Sequence, residues 1–355
     1  MSAPRLLIIG NFSASCHVGA MLGRAAETLG LTWTRIDTGI QHYAPSLQTL
    51  PGRVFFRLSG GRPLEWWRFN RRALGTLSEA RPQMVIVSGV LPLHPQVFAT
   101  CQKLGARISN FATDDPWSCY LRHSTAFLRT IPLYDLIVST KSRVVDDFHR
   151  CGARRVEWCT YAFDPYWHRL PDPVPDAERA RFAADLSFVG TGNPARRIEL
   201  EQLAAAVLGT HKLYGNDWEQ QPPRGWKRMG EALDNTFRLA VHEAKLCLAL
   251  LRKGSRDDST QRTYEIAPCG GCGLYEDTSE HRMILKGYPE IGFFKTTADL
   301  AEICRHLLPD EAKRHELRDI GMKILVRPEN TFAARLRSII EWCDLGVHLP
   351  EQTSS

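Results

Sequence analysis

Short apolar runs alternate with stretches of helical spacing through the first half of the chain. Leu6–Ile9 is wholly aliphatic and closes at Gly10, which predicts a buried strand. The small and apolar positions from His17 to Leu29 predict the helix after it. Thr32–Ile36, Met84–Ser88, Arg107–Phe111 and Leu136–Val138 read as further strands. Between them, Pro63–Ala80, Pro95–Leu104 and Ser142–Arg150 read as helices, the last stopped by Gly152. Apolar strands separated by helices indicate a parallel sheet buried on both faces. Such a sheet takes its ligand beyond the carboxyl ends of its strands.

The rhythm breaks at Tyr161–Asp176, where Pro165, Pro171, Pro173 and Pro175 fall among few periodic apolar positions, the pattern of a linker. It then restarts. Leu186–Val189 predicts a strand, Gly190–Pro194 a turn and Ala195–Leu208 a helix. Lys212–Tyr214, Leu246–Leu251 and Gly273–Tyr275 predict strands. A helix begins at Thr263–Ala267 and stops at Gly270, and Leu300–Leu307, Glu311–Ile324 and Thr331–Leu345 are helical. The expected organisation is two α/β domains, residues 1–165 and 166–330, with a last helix and tail over 331–355.

Composition narrows the classes. With 43% hydrophobic and 24% charged residues, the chain of 355 residues is globular rather than disordered. It has no apolar run of the roughly 18 residues that a membrane-spanning helix needs. The apolar run at Leu6 is shorter than the roughly 7–15 residues of a signal-peptide core, and the ten cysteines form no regular framework. A cytoplasmic location is the expectation. The net charge of +6 is mild and gives no strong nucleic-acid signal. It is uneven, however: Arg53, Arg57, Arg62, Arg68, Arg71, Arg72 and Arg81 face only Glu65 and Glu79. That cluster is either a solvated helix face or a surface for an anionic acceptor (a glycan or a protein), a membrane face or a partner.

Three motifs bear on chemistry. Pro268-Cys269-Gly270-Gly271-Cys272 has the spacing of a zinc half-site, but no His-x-Glu accompanies it, and as a redox pair it would open a helix rather than follow one. Two buried thiols at a tight helix exit is the expected state, with no metal site. The turn Gly190-Thr191-Gly192-Asn193-Pro194 lies between strand and helix, where backbone amides and a helix N-terminus suit an anion, and Arg196 and Arg197 add charge suited to a diphosphate. Arg262-Thr263-Tyr264-Glu265 begins a short helix that exits at Gly270-Gly271. A carboxylate there can accept both hydroxyls of a ribose, beside an arginine for phosphate. Glu265 could equally be a dipole-compensating cap.

The ordered set Phe188-Val189-Gly190, Leu213-Tyr214-Gly215-Asn216-Asp217-Trp218, Arg262-Thr263-Tyr264-Glu265 and Gly270-Gly271 resembles the C-terminal half of CgeB-like glycosyltransferases. Lys295 to Ile340 continues the likeness, and Thr113-Asp114-Asp115-Pro116 is its most recognisable piece in the first half. These enzymes have the GT-B fold and are similar to the group 1 nucleotide-sugar transferases. The resemblance implies two Rossmann-like domains facing across a cleft, the donor held by the second, and a last helix crossing back to the first. Glu265 matches the glutamate expected on the donor ribose. Asp257 stands where the group 1 enzymes carry a further glutamate. Gly190, Arg197 and Arg262 would face the diphosphate, and Tyr214, Gly270 and Gly271 complete the donor-side set.

Sugar transfer requires a stabilised leaving diphosphate and an oriented acceptor. Arginines and a helix N-terminus can do the first without metal, so a metal-independent hexosyltransferase with a nucleotide-diphosphate sugar as co-substrate and no other cofactor is expected. A base would come from Asp114, after the fourth predicted strand, with His17 a rival and Asp115 on the acceptor side or capping the following helix. A non-catalytic nucleotide-sugar sensor and a GT-B-fold nucleotide-sugar epimerase are the alternatives. Donor, acceptor, stereochemical course and oligomeric state are not legible in the sequence.

Overall fold

In a computed structural model, residues 5–39, 44–118, 124–218 and 222–344 are described. The chain divides into two units, one formed by Met1–Thr160, Gly254–Arg256 and Phe332–Ser355, the other by Tyr161–Lys253 and Asp257–Thr331. Each is an α/β unit built on a six-stranded parallel sheet.

The first sheet comprises β1 (Leu6–Gly10), β2 (Trp33–Asp37), β3 (Met84–Ser88), β4 (Arg107–Ala112), β5 (Leu136–Ser139) and β6 (Val156–Trp158), in the order β2-β1-β3-β4-β5-β6. Every residue of β1 and β3 is buried, so both faces of the sheet centre are covered. The helix Leu64–Ala80 turns Trp66, Phe69, Ala73 and Leu77 inward at helical spacing, and all four join the core. The helix Pro95–Leu104 ends at Gly105, whose φ of +69° is the left-handed stop that glycine adopts without strain. The last helix, Phe332–Trp342, packs on the helix Val18–Thr28. Arg335 holds its start through the Thr160 carbonyl at 2.9 Å, and Arg155 donates to the Trp342 carbonyl at 2.6 Å. The expected end of that helix at Leu345 lies outside the described residues.

The second sheet comprises β7 (Ala184–Val189), β8 (His211–Tyr214), β9 (Lys227–Gly230), β10 (Ala244–Ala249), β11 (Gly273–Glu276) and β12 (Phe293–Phe294), in the order β12-β11-β10-β7-β8-β9. β10 begins two residues before the predicted Leu246 and ends at Ala249, leaving Leu250 and Leu251 buried beyond it. The helices Pro194–Ala206 and Asp234–His242 connect strands, and Thr297–Leu307 and Glu311–Leu325 follow β12.

The proline-rich stretch is not a free linker. Phe163 bridges Thr331, Trp167 and His168 are buried, and Trp167 Nε1 donates to Asp234 at 3.0 Å. Arg238 holds the Trp167 carbonyl and pairs with Asp172. Side-chain contacts, which leave no periodic trace, fix this segment in the second unit.

Cys269 and Cys272 are free, fully buried thiols, and burial pushes Cys272 up to about 12. The glycines between them are required by packing. Gly270 has φ +77°, and a Cβ on Gly271 would lie 2.5 Å from Val241 Cγ1 and 2.8 Å from Ile266 Cγ2. Gly271→Ala is therefore expected to cost about 1–3 kcal/mol through overpacking, read as a lower urea midpoint with unchanged m-value.

Candidate functional site

In the second sheet the chain runs outward from β7 to β8 and β9, then returns on the other side of β7 as β10. Connections that diverge in this way open a crevice at the carboxyl ends of β7 and β10, where doubly wound sheets bind ligands. Arg196 spans the loops that leave those two strands. Its Nη1 donates to the Thr191 carbonyl at 3.1 Å, after β7, and its Nη2 to the Leu250 carbonyl at 2.6 Å, after β10. The guanidinium also lies over the Phe188 ring, 5.4 Å from its centroid. Asn193 caps the helix that carries it, accepting from the Arg196 amide at 3.0 Å.

Arg196 is 7% exposed, and its Nε has no hydrogen-bond partner among the described residues. Burial lowers its pKa to about 10, with the charges of Arg252 and Arg262 acting in the same sense and Asp257 and Glu276 opposing them. Three arginines thus share one electrostatic neighbourhood at the switch point. Asp257 is buried and accepts from the Arg252 amide at 3.2 Å.

Glu265 sits below this cluster at the end of the short helix Gln261–Glu265. Its Oε1 accepts from Gln261 at 2.8 Å and faces His168 Nε2 at 2.9 Å. Because His168 Nδ1 accepts from the Asp164 amide at 2.8 Å, the proton of a neutral ring lies on Nε2, which donates to the carboxylate. Arg262 Nη1 lies 2.6 Å from Oε2, a close ion pair without hydrogen-bond alignment. Burial by itself would raise the Glu265 pKa, yet Arg262 and His168 hold it below the ordinary carboxylate range. It is an ionised, oriented acceptor.

The helix Gln261–Glu265 is held by a buried histidine. His281 Nδ1 lies 2.7 Å from the Glu276 carbonyl, which can only accept, so Nδ1 carries the proton. Nε2 then accepts from Thr263 Oγ1 at 2.9 Å, and Thr263 completes a capping box with Thr260.

Other sequence-predicted donor residues fall elsewhere. Arg197 pairs with Glu201 at 3.1 Å along its own helix, one residue too far around to reach the crevice. The Tyr214 side chain lies in the core, stacked with Phe182, and burial pushes its hydroxyl up in pKa. The Gly190 amide donates to the Tyr214 carbonyl at 2.9 Å and the Gly192 amide to the Asn216 carbonyl at 2.8 Å, so neither is offered to an anion. Gly215 permits this bracing: at φ +117° its Cβ would lie 2.3 Å from the Gly190 oxygen. Gly270 and Gly271 contact protein atoms, as described. Arg252, His168 and His281 carried no sequence signal, since each acts through a partner distant in the chain or in a loop. Arg196 carried one, an arginine in the first turn of a capped helix, shared with Arg197.

In the first unit, Asp114 follows β4 and His17 follows β1, both beyond the carboxyl ends of strands separated by β3 in the sheet. Asp114 is half-buried, with Thr113 Oγ1 at 3.4 Å. His17 Nδ1 accepts from the Ala14 amide at 3.3 Å and faces Ser13 Oγ at 3.2 Å. Asp115 is 2% exposed, accepts from the Trp117 amide at 2.9 Å and clamps Arg256 through both oxygens, at 2.8 and 2.9 Å. It closes a turn and holds a cation. Among the described residues no group of three or more His, Cys, Asp or Glu side chains is placed to hold a metal.

Residues 196–341 match the glycosyl transferase-like family, which covers the crevice from Arg196 onward. No curated protein matches the chain by sequence. Among solved structures, the chain is similar to the Anabaena protein HepE in complex with UDP and glucose (TM-score 0.65, 12% identity, 96% of this chain and 99% of that one). It is similar also to sucrose-phosphate synthase of Thermosynechococcus elongatus (TM-score 0.64, 12% identity, 97% and 100%). A third is the β-glucosyltransferase of phage T4 (TM-score 0.56, 14% identity, 96% and 99%). The fold is the two-sheet GT-B fold of glycosyltransferases.

Acid should loosen the hold on the helix Gln261–Glu265. Burial lowers the His281 pKa below its usual 6.5, so its contribution to stability is complete above about pH 6.5 and declines as pH falls below that value. His94 and His211 are shifted in the same direction and add to the slope. His281→Gln should lower the melting temperature at pH 7.5 yet flatten its decline between pH 7 and 5; an unchanged slope would remove His281 from the account.

Proposed function

We propose that this protein moves a hexosyl group from a nucleotide-diphosphate sugar to an acceptor hydroxyl. The reading is carried by Arg196, buried across the switch point of the second sheet beside Arg252 and Arg262. Positive charge concentrated at the switch point suits a diphosphate, and suits it more as the bond from the anomeric carbon to the phosphate oxygen breaks. That bond gives its electron pair to the diphosphate, the acceptor oxygen bonds the anomeric carbon, and the acceptor proton passes to a base. Asp114 is the base we assign.

Glu265 takes the ribose hydroxyls, using Oε2 on the side that Arg262 approaches, and Asp257 takes a hydroxyl of the sugar. Arg197 is left out of the donor set. The complex of the Anabaena relative with UDP and glucose supports a uridine nucleotide and a hexose as the first donor to try. The arginines supply the charge that a metal would otherwise bring, so EDTA should leave turnover unchanged.

Thermal shift against nucleotide diphosphates and their sugars tests the reading, because stabilisation grows with ligand concentration over dissociation constant. A shift is expected with at least one donor. Glu265→Ala should weaken that donor about 10–100-fold, the worth of a hydrogen bond to a charged group, whereas Arg197→Ala should leave it unchanged. Equal losses in both variants, or no shift with any donor, would overturn the assignment. Donor binding without turnover would favour a sensor; isomerised donor without acceptor would favour an epimerase.

A further inference from the structure

The helix Leu50–Leu58 in the first unit presents apolar side chains to solvent. Leu50 is 68% exposed, Val54 48% and Leu58 83%. Spaced four apart, they form one stripe, and Arg53 and Arg57 form a parallel stripe beside it, also exposed. The helix is not a frayed end: Thr49 caps it at 3.1 Å, and Gly52 is buried against Ser46, where a Cβ would meet the backbone. Ser46 is in turn held by Glu65 at 2.8 and 2.6 Å. That spends one of only two carboxylates in the arginine-rich stretch.

The next helix continues the theme. Trp67 is half exposed, Arg68 and Arg71 are exposed, and Trp67 and Arg71 line a cavity of about 310 Å³ with Arg62, Asn70 and His94. Among the described residues Arg53, Arg57 and Arg71 have no carboxylate partner.

We propose that this face lies on an anionic phospholipid bilayer, with Leu50, Val54, Leu58 and Trp67 entering the headgroup layer and the arginines meeting lipid phosphates. Exposed leucines next to unpaired arginines complement a surface that is apolar within and negative outside, and a nucleic acid would use only the second half of that pattern. No described helix is long and apolar enough to cross a membrane, so the contact is peripheral. The inference does not rest on the donor-site reading.

Flotation of the full chain with phosphatidylglycerol–phosphatidylcholine vesicles, against phosphatidylcholine alone, tests it. Binding is expected to the first and about tenfold or more weaker to the second. R53Q/R57Q should weaken binding at low salt about fivefold per arginine. L50S/L58S, at sites so exposed that the melting temperature should not fall, should leave only binding that salt releases. No binding to anionic vesicles would overturn the proposal, as would binding that both variants leave intact. So would tighter binding to duplex DNA that L50S/L58S does not alter.

Discussion

One buried cation organises the second unit. Arg196 joins the loops leaving β7 and β10 by donating to a carbonyl of each, and that double attachment ties the two loops together at the switch point. A guanidinium suits this role because its donors sit on separate nitrogens fixed in one plane, spread widely enough to reach a carbonyl of each loop. Burial next to Arg252 and Arg262 is electrostatically unfavourable, as the lowered Arg196 pKa records. The unit keeps the strain only partly relieved, through Asp257 and Glu276. A dianionic ligand would complete the compensation, and that links the fold's architecture to its chemistry.

Most of the sheet framework was legible because its strands are short, continuous and apolar. β3 and the helix Pro95–Leu104 lie where periodicity placed them, to the residue. The omissions have specific causes. β9, Lys-Arg-Met-Gly, is an exposed edge strand with no apolar side to recognise. The helix Leu50–Leu58 has its apolar stripe facing outward and Pro51 and Gly52 in its first turn, so neither periodicity nor propensity marks it as a core helix. Trp167 and His168 sit in an aperiodic segment whose order comes wholly from side-chain contacts.

At the site, residue type was more legible than orientation. Two arginines in one helical turn are indistinguishable in sequence, yet 100° of rotation sends Arg196 into the crevice and Arg197 back along its helix to Glu201. Glycine admits a close approach, and the sequence of the Gly190–Pro194 turn therefore suggests a cradle for an anion. The approach is real, but the loop 214–218 makes it, leaving the amides of Gly190 and Gly192 already bonded. Spacing alone cannot tell a backbone that approaches a ligand from one that approaches another loop.

Glu265 shows why an occupied side chain is compatible with ligand binding. Its three neighbours, Gln261, His168 and Arg262, all present positive charge or donors, so the carboxylate is ionised and fixed before any ribose arrives. A ribose hydroxyl then needs only the remaining lone-pair direction on Oε2, where Arg262 is close but misaligned. Rotation of Arg262 toward a phosphate would free that direction further and preserve its charge interaction with the carboxylate. In the proposed donor site, the same arginine would couple the diphosphate to the ribose through its pairing with Glu265. Preorganisation here lies in the carboxylate, and the adjustable part is the cation beside it.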